Sequence, residues 1–480
     1  MKGIGIASCS VYLPRYRLNR KVISGSMGWL NPGSLPGEKA VANYDEDSLT
    51  MAVAAGMDCL RKTDRANIGG MYLASTTAPY LERESAAIIA TALDLRPDIR
   101  TADFAGSLKA GTSAMLAACD SIKSGEVDSL LVCSSDCRLG KPGSSQEMGF
   151  GDGAAAVVLS NSGVIASLEG SCSVSYDFPD YRRSVADKFV RAVEERFIRE
   201  EGYAKFIPEA ISGLLGRCGL EAKDFAKVAY PGTNPREHTA IGRRLGFAPE
   251  QIQELLITTI GESGTASPFI LLAAMLEEAR PGDNLLIASY GSGAEAMCFK
   301  VTGEIEKARS GNLRKQLAAK QELTSYEQYL AFRGILPVAA AFGEEVAPTQ
   351  LTLTWRERKE ILSLLGSQCQ RCGTPQYPAQ RVCVNPDCRA VDEMGDCRFS
   401  DKRGTLFSYT ADNITTSVNP PMLYGMIDFE GGGKFVFELT DCEFGSLKIG
   451  MPVEMSLRRK YFDEPRGIVG YFWKAVPVRE

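Results

Sequence analysis

Residues 1–300 contain two similar halves, and a chain that repeats itself at this length is constrained to fold as two matched units. In the first half a segment of helical period, Asp45–Leu60, leads into the apolar run IGGMYLAST, ending at Thr76. In the second, Pro208–Leu220 leads into FAKVAYPGT, ending at Thr233. Further on, SGEVDSLLVCSSD matches RPGDNLLIASYGSG, each an acidic turn followed by an apolar strand. Both are succeeded by glycine-led strands, Gly151–Leu159 and Gly291–Phe299. Short apolar runs alternating with helical patterns give βα units around buried, mostly parallel sheets. The expected fold class is therefore α/β, a pseudo-twofold core with helices sandwiched between two sheets. The strands ending near Thr76 and Thr233 are expected to be central and adjacent.

Past Val301 the pattern changes. A charged, helical stretch is followed by a segment with Pro337 and Pro348 that reads as a linker, then by the short helix TWRERKEILSLLGSQ. Next come four cysteines spaced Cys369-x2-Cys372-x10-Cys383-x4-Cys388. Two short hooks across a small loop supply four converging thiolates with little chain entropy lost, which predicts a closed, structural zinc site. Gly373 follows the first hook, where a knuckle turn requires positive φ. From Gly404 onward, five short runs separated by Gly, Pro and Asp turns (TLFSYTAD, MLYGMIDFE, KFVFELTD, PVEMSLRRKYF, IVGYFWKAVPV) predict a small closed barrel of the OB type. The cluster Arg458, Arg459, Lys460, Tyr461 reads as a solvated strand edge.

A net charge of −5 with no basic block argues against a nucleic-acid partner. No apolar run approaches the ~20 residues of a membrane span, and the N-terminal stretch alternates like a strand rather than a signal peptide. Fourteen cysteines less the four in the hooks leave ten, scattered without pattern, which suggests a reducing compartment. The expected location is cytoplasmic. The single histidine, His238, restricts the acid–base chemistry open to the chain.

The motifs VYLPRYRL, KAGTSAM (Lys109–Met115), YDFPDYRR (Tyr176–Arg183), SYGSGAEAMCF (Ser289–Phe299) and SYEQYLAFRG (Ser325–Gly334) occur in one order along the chain. In that order they resemble the thiolase superfamily, in particular 3-hydroxy-3-methylglutaryl-CoA (HMG-CoA) synthase of the archaeal and bacterial type. Residues 350–480 resemble the zinc-ribbon/OB-fold domain known as DUF35, which usually accompanies such enzymes as a separate subunit. The resemblance implies α/β/α/β/α layers and four segments: thiolase-like halves over 1–160 and 161–335, a linker, helix and zinc ribbon over 336–400, and an OB-fold over 401–480. It further implies a coenzyme A thioester as substrate or ligand, and a homo-dimer or a hetero-oligomer with another thiolase-like subunit.

The family's nucleophilic cysteine stands at a helix N-terminus directly before Lys-Ala-Gly-Thr, and here that position is Leu108. The family's histidine falls at Pro231, its general-base glutamate at Thr76 and its asparagine at Glu262. Claisen condensation through an acyl-cysteine is thus not expected of this chain alone. As replacement nucleophiles, Cys119 lies deep in its helix and Cys133 inside a strand, which leaves Cys137 the least excluded. Two readings stay open. One is an acyl-CoA carbon–carbon lyase or transferase using cysteine-free, retro-aldol-like chemistry, with Tyr290, Glu262 and His238 as candidate proton-transfer groups. The other is a non-catalytic subunit that assembles with a catalytically complete thiolase-like partner. Under either reading Leu108, Glu262 and Tyr290 are expected to line one pocket with Pro231 and Thr76. Ser292 and Gly293 are expected to offer backbone N–H groups nearby.

Overall fold

The computed structural model describes residues 3–31, 33, 35–309, 311–339 and 349–479. The segment Asp45–Leu60 forms the helix Ser48–Cys59, whose N-terminus Asp47 caps reciprocally with Thr50. Its counterpart is the helix Ala204–Cys218, closed by Gly219 in the left-handed conformation. Each leads into a short strand, Gly70–Ala74 or Lys227–Ala229. The paired runs that follow become Ser129–Asp136 and Asn284–Tyr290, and the glycine-led strands become Gly153–Ser160 and Gly293–Val301.

Four strands of each half are connected alike, and Arg100–Phe104 adds a fifth to the first, parallel to Gly70–Ala74. In the first, Gly5–Tyr12 pairs antiparallel with Gly153–Ser160, which pairs antiparallel with Ser129–Asp136, itself parallel to Gly70–Ala74. In the second, Ala166–Ser175 takes the first place, followed by Gly293–Val301, Asn284–Tyr290 and Lys227–Ala229 in matching directions. The two half-sheets run into one another where Gly5–Tyr12 meets Ala166–Ser175 through the pairs Gly5–Ser167 and Ile6–Ala166.

One expectation fails here. Gly70–Ala74 and Lys227–Ala229 lie towards opposite flanks of the nine-stranded array, and the centre is taken by Gly5–Tyr12 and Ala166–Ser175. The glycine-led strands fold back antiparallel and bring the first strand of each half to the junction, which pushes the βα strands outwards. The layering is nonetheless that of a thiolase-like fold. The helices Ala110–Lys123 and Ser267–Glu278 share one apolar core with the inner sheet faces. Ser48–Cys59 and Ser85–Ala92 cover the first half outside, and Ala204–Cys218 covers the second.

The five C-terminal runs form a closed barrel from the strands Gly404–Asp412, Met422–Phe429, Lys434–Leu439, Pro452–Asp463 and Ile468–Pro477. Closure removes exposed sheet edges and lets Leu406, Ile427, Phe437 and Trp473 fill the interior. Arg458 corrects the sequence reading. Far from a solvated edge, its side chain is 1% exposed and pairs with Asp45, Glu46 and Asp441 at 3.3, 2.8 and 2.7 Å. The barrel is thereby bound to the thiolase-like core, with Tyr471 adding a 2.7 Å bond to Asp47, while Trp473 donates at 2.9 Å to the carbonyl of Leu362 in the helix that precedes the ribbon. Pro337 lies outside any helix or strand, while Pro348 lies outside the described residues. Among the described residues no helix is long and apolar enough to cross a membrane.

Candidate functional site

The helix Ala110–Lys123 opens at Lys109 with no side-chain cap, so its first backbone N–H groups face the loop carrying Leu108. Its first turn is tied to the second half: Thr112 and Ser113 donate to the buried carboxylate of Glu295 at 2.6 and 2.9 Å. Ser107 donates to the carbonyl of Gly291 at 2.8 Å. A Cβ at Gly291 would lie 2.8 Å from the Leu108 nitrogen, so only glycine lets the 290s loop approach the helix mouth.

A cavity of about 510 Å³ opens at this mouth, and Leu108, Pro231, Glu262 and Tyr290 all line it. Four of the positions singled out in the sequence are therefore brought together from both halves. The others are not. Thr76 turns to Asp136, which accepts its backbone N–H at 2.7 Å and its hydroxyl at 3.0 Å. Ser292 is exposed, Gly293 is paired with Ser175 in the sheet, and neither lines the cavity. His238 is also off the cavity, its ring tilted against that of Tyr230 with centroids 4.2 Å apart and its Nε2 3.0 Å from the carbonyl of Gln253. Burial pushes its pKa down to about 4, which keeps it neutral and inward.

Glu262 is fully engaged. One oxygen accepts from the Gly264 N–H at 2.9 Å and the Ser267 hydroxyl at 3.3 Å; the other meets Arg138 at 2.6 Å. Arg138, which sequence reasoning missed, is buried and lies 4.0 Å over the Phe150 ring and 5.5 Å from that of Tyr181. No pattern around Arg138 announces it, because its partner lies 124 residues away. Tyr290 contributes its ring to the cavity wall, but its hydroxyl is buried and has no well-formed hydrogen bond among the described residues. Burial raises its pKa far above the ordinary phenol range, and the neighbouring Asp180 carboxylate adds to the rise.

None of the candidate thiols lines the cavity. Burial pushes Cys119 up to about 12 and Cys133 well above its usual value. Cys137 is raised as well, with burial outweighing the opposing pull of Arg333.

At the C-terminal module the sulfurs of Cys369, Cys372, Cys383 and Cys388 lie within 4.8 Å of one another. Cys369–Cys388 and Cys372–Cys383 are separated by 3.8 and 3.5 Å. Thiolates about 2.3 Å from a tetrahedral zinc stand about 3.8 Å apart, so the donor set fits zinc as a structural ion. Gly373 has φ +74°, as the knuckle turn requires.

Fold, cavity and cysteine cluster together define a thiolase-like protein carrying a zinc ribbon and an OB-fold. Residues 215–302 match the family described as 3-oxoacyl-[acyl-carrier-protein] synthase III C terminal. Residues 356–393 match the ChsH2 rubredoxin-like zinc ribbon domain, and 398–458 the ChsH2 C-terminal OB-fold domain. The chain is 32% identical over 315 residues to the hydroxymethylglutaryl-CoA synthase of Methanopyrus kandleri, covering 64% of this chain and 90% of that protein. It is 33% identical to that of Aeropyrum pernix, covering 70% and 95%. The fold matches a crystal structure of HMG-CoA synthase complexed with CoA at a TM-score of 0.62, with 20% identity over 72% of this chain and 95% of that one. The chain belongs to the hydroxymethylglutaryl-CoA synthase family.

Proposed function

We propose that this chain binds an acyl-CoA thioester at the mouth of the Ala110–Lys123 helix without forming an acyl-enzyme, as the non-catalytic subunit of a complex. A thiolase-like partner carrying the cysteine and histidine would supply the chemistry, and the fused zinc ribbon and barrel would shape the shared acyl-CoA entrance. The observation that carries this reading is the state of Glu262. It lines the cavity together with Glu195 and Glu237, and both its oxygens are committed to Arg138, Gly264 and Ser267. Its oxygens are thereby turned to protein donors rather than presented to a ligand. Leu108 at the helix mouth and His238 outside the cavity agree with it. The CoA complex of a protein sharing the fold supports the ligand class.

A second reading is favoured by Tyr290. Its ring lines the cavity and its hydroxyl lies beside the Asp180 carboxylate, an arrangement suited to relaying a proton. In a retro-aldol cleavage the β-hydroxyl would lose its proton towards that pair and the Cα–Cβ bond would break. The resulting thioester enolate would then be protonated, leaving a carbonyl compound and a shorter acyl-CoA. Assay of the purified chain alone against β-hydroxyacyl-CoA esters separates the two. The subunit reading expects no turnover, and co-purification in fixed stoichiometry with a thiolase-like protein bearing the intact cysteine. Turnover by the chain alone overturns it.

A further inference from the structure

A further phenol meets the cavity from an element that the sequence reading passed over. Ile198–Tyr203 is a π-helical stretch, an uncommon conformation that recurs at functional sites. It brings Ile198, Arg199 and Tyr203 to the cavity wall. The Tyr203 ring meets that of Tyr290 edge-on, with centroids 5.7 Å apart. Its hydroxyl lies beside Gly232, where a Cβ would come within 2.8 Å of it. Gly232 directly follows Pro231, and both line the same cavity.

The Tyr203 hydroxyl is buried and finds no hydrogen-bond partner among the described residues. Buried polar groups in folded proteins are almost always paired, because leaving one unpaired forfeits its hydration with no return. Burial, together with nearby Tyr230 and Glu237, holds this phenol in its neutral, proton-bearing form. Tyr203 lines the cavity, and its neutral O–H, set behind the wall, is a donor without an acceptor. Glycine at position 232 lets the backbone pass close beside it, where a Cβ would also come within 3.3 Å of Leu255.

Building on the acyl-CoA reading, we infer that Tyr203 is a ligand-binding residue whose hydroxyl donates a hydrogen bond to the thioester carbonyl oxygen. The donor stands beside the position where the family's histidine is replaced by Pro231. The site thus retains a means of orienting the acyl group after losing that imidazole. Because the donor is a phenol held neutral, it orients the carbonyl without taking up a proton. This role is compatible with either reading of the chemistry.

The test compares binding of acetyl-CoA and of CoA to the full-length protein and to Tyr203→Phe by calorimetry, alongside thermal unfolding without ligand. CoA has no acyl oxygen, so it serves as the internal control. The expected result is acetyl-CoA affinity about 10-fold weaker in Tyr203→Phe, with CoA affinity unchanged. The ligand-free melting temperature should be equal to or above wild type, since an unpaired buried hydroxyl is being removed. Equal acetyl-CoA affinity in the two proteins, or an equal loss for acetyl-CoA and CoA, would overturn the inference and leave the acyl-CoA reading standing. A fall of several degrees in the ligand-free melting temperature would also overturn it, by showing a structural partner for the hydroxyl. Failure of the wild-type protein to bind either compound would overturn the acyl-CoA reading and this inference with it.

Discussion

Arg458 of the barrel and Glu46 of the thiolase-like core meet at 2.8 Å with both side chains 1% exposed. Asp45 and Asp441 complete the arginine's surroundings, and Tyr12 bonds to both Arg458 and Glu46. Breaking such a group from one side strands the remaining charges out of water. Arg458→Ala should therefore destabilise the protein by about 3–5 kcal/mol. Arg458→Lys should lose less, because it keeps the charge but not the planar fork. Urea denaturation of both variants checks this; wild-type midpoints would refute the clamp.

Elemental analysis should find one zinc per chain, and its removal by a strong chelator should unfold the ribbon. Cys383→Ser should do the same without chelator, because metal-binding energy is folding energy in so small a module. Circular dichroism and limited proteolysis within residues 365–398 provide the measurement. A metal-free protein with a protease-resistant ribbon would refute it.

Cys119, Cys133 and Cys137 should resist iodoacetamide at neutral pH in the native protein, because burial holds each as a thiol rather than a thiolate. Mass spectrometry after timed labelling tells which residues react. Rapid stoichiometric labelling of Cys137 would reopen the question of a nucleophile.

His238 makes stability depend on pH in a defined direction. Its folded-state pKa, about 4, lies below the ordinary 6.5, so protonation favours the unfolded chain. The contribution is complete above about 6.5 and is lost as pH falls through about 4; its size is at most about 3 kcal/mol. His238→Gln preserves a donor to the Gln253 carbonyl and should flatten the wild-type decline in unfolding free energy between pH 6.5 and 4. Parallel pH profiles for the two proteins would contradict the assignment.

Tyr290→Phe separates the two functional readings at a single atom. If the chain is itself a lyase, the substitution should cut turnover by ~10²–10⁴-fold while acyl-CoA binding stays intact. If it is a non-catalytic subunit, the reconstituted complex should run at an unchanged rate. Steady-state kinetics of the chain alone and of the complex are compared.

Sequence alone determined the features that local pattern encodes. Hydrophobic period and turn residues marked the paired strands of the two halves and the five barrel strands. The short hooks marked the cysteine cluster, since ligands a few residues apart need almost no tertiary information to converge. The KAGT motif marked the helix mouth at Leu108. Tertiary structure decided whatever depends on partners distant in the chain. LRRKYF reads as a solvated edge because the acids that bury Arg458 lie more than 400 residues upstream, at Asp45 and Glu46. The flanking places of Gly70–Ala74 and Lys227–Ala229 follow from how the two half-sheets join, which no periodicity records. Glu262 reads from sequence as a candidate proton-transfer group, and only the fold sets Arg138 against it. Tyr203 became visible only when folding placed its hydroxyl beside Gly232 with nothing to bond. Burial and pairing are properties of the assembled chain, and at this site they separate a carboxylate that is held from a phenol whose hydroxyl has no partner among the described residues.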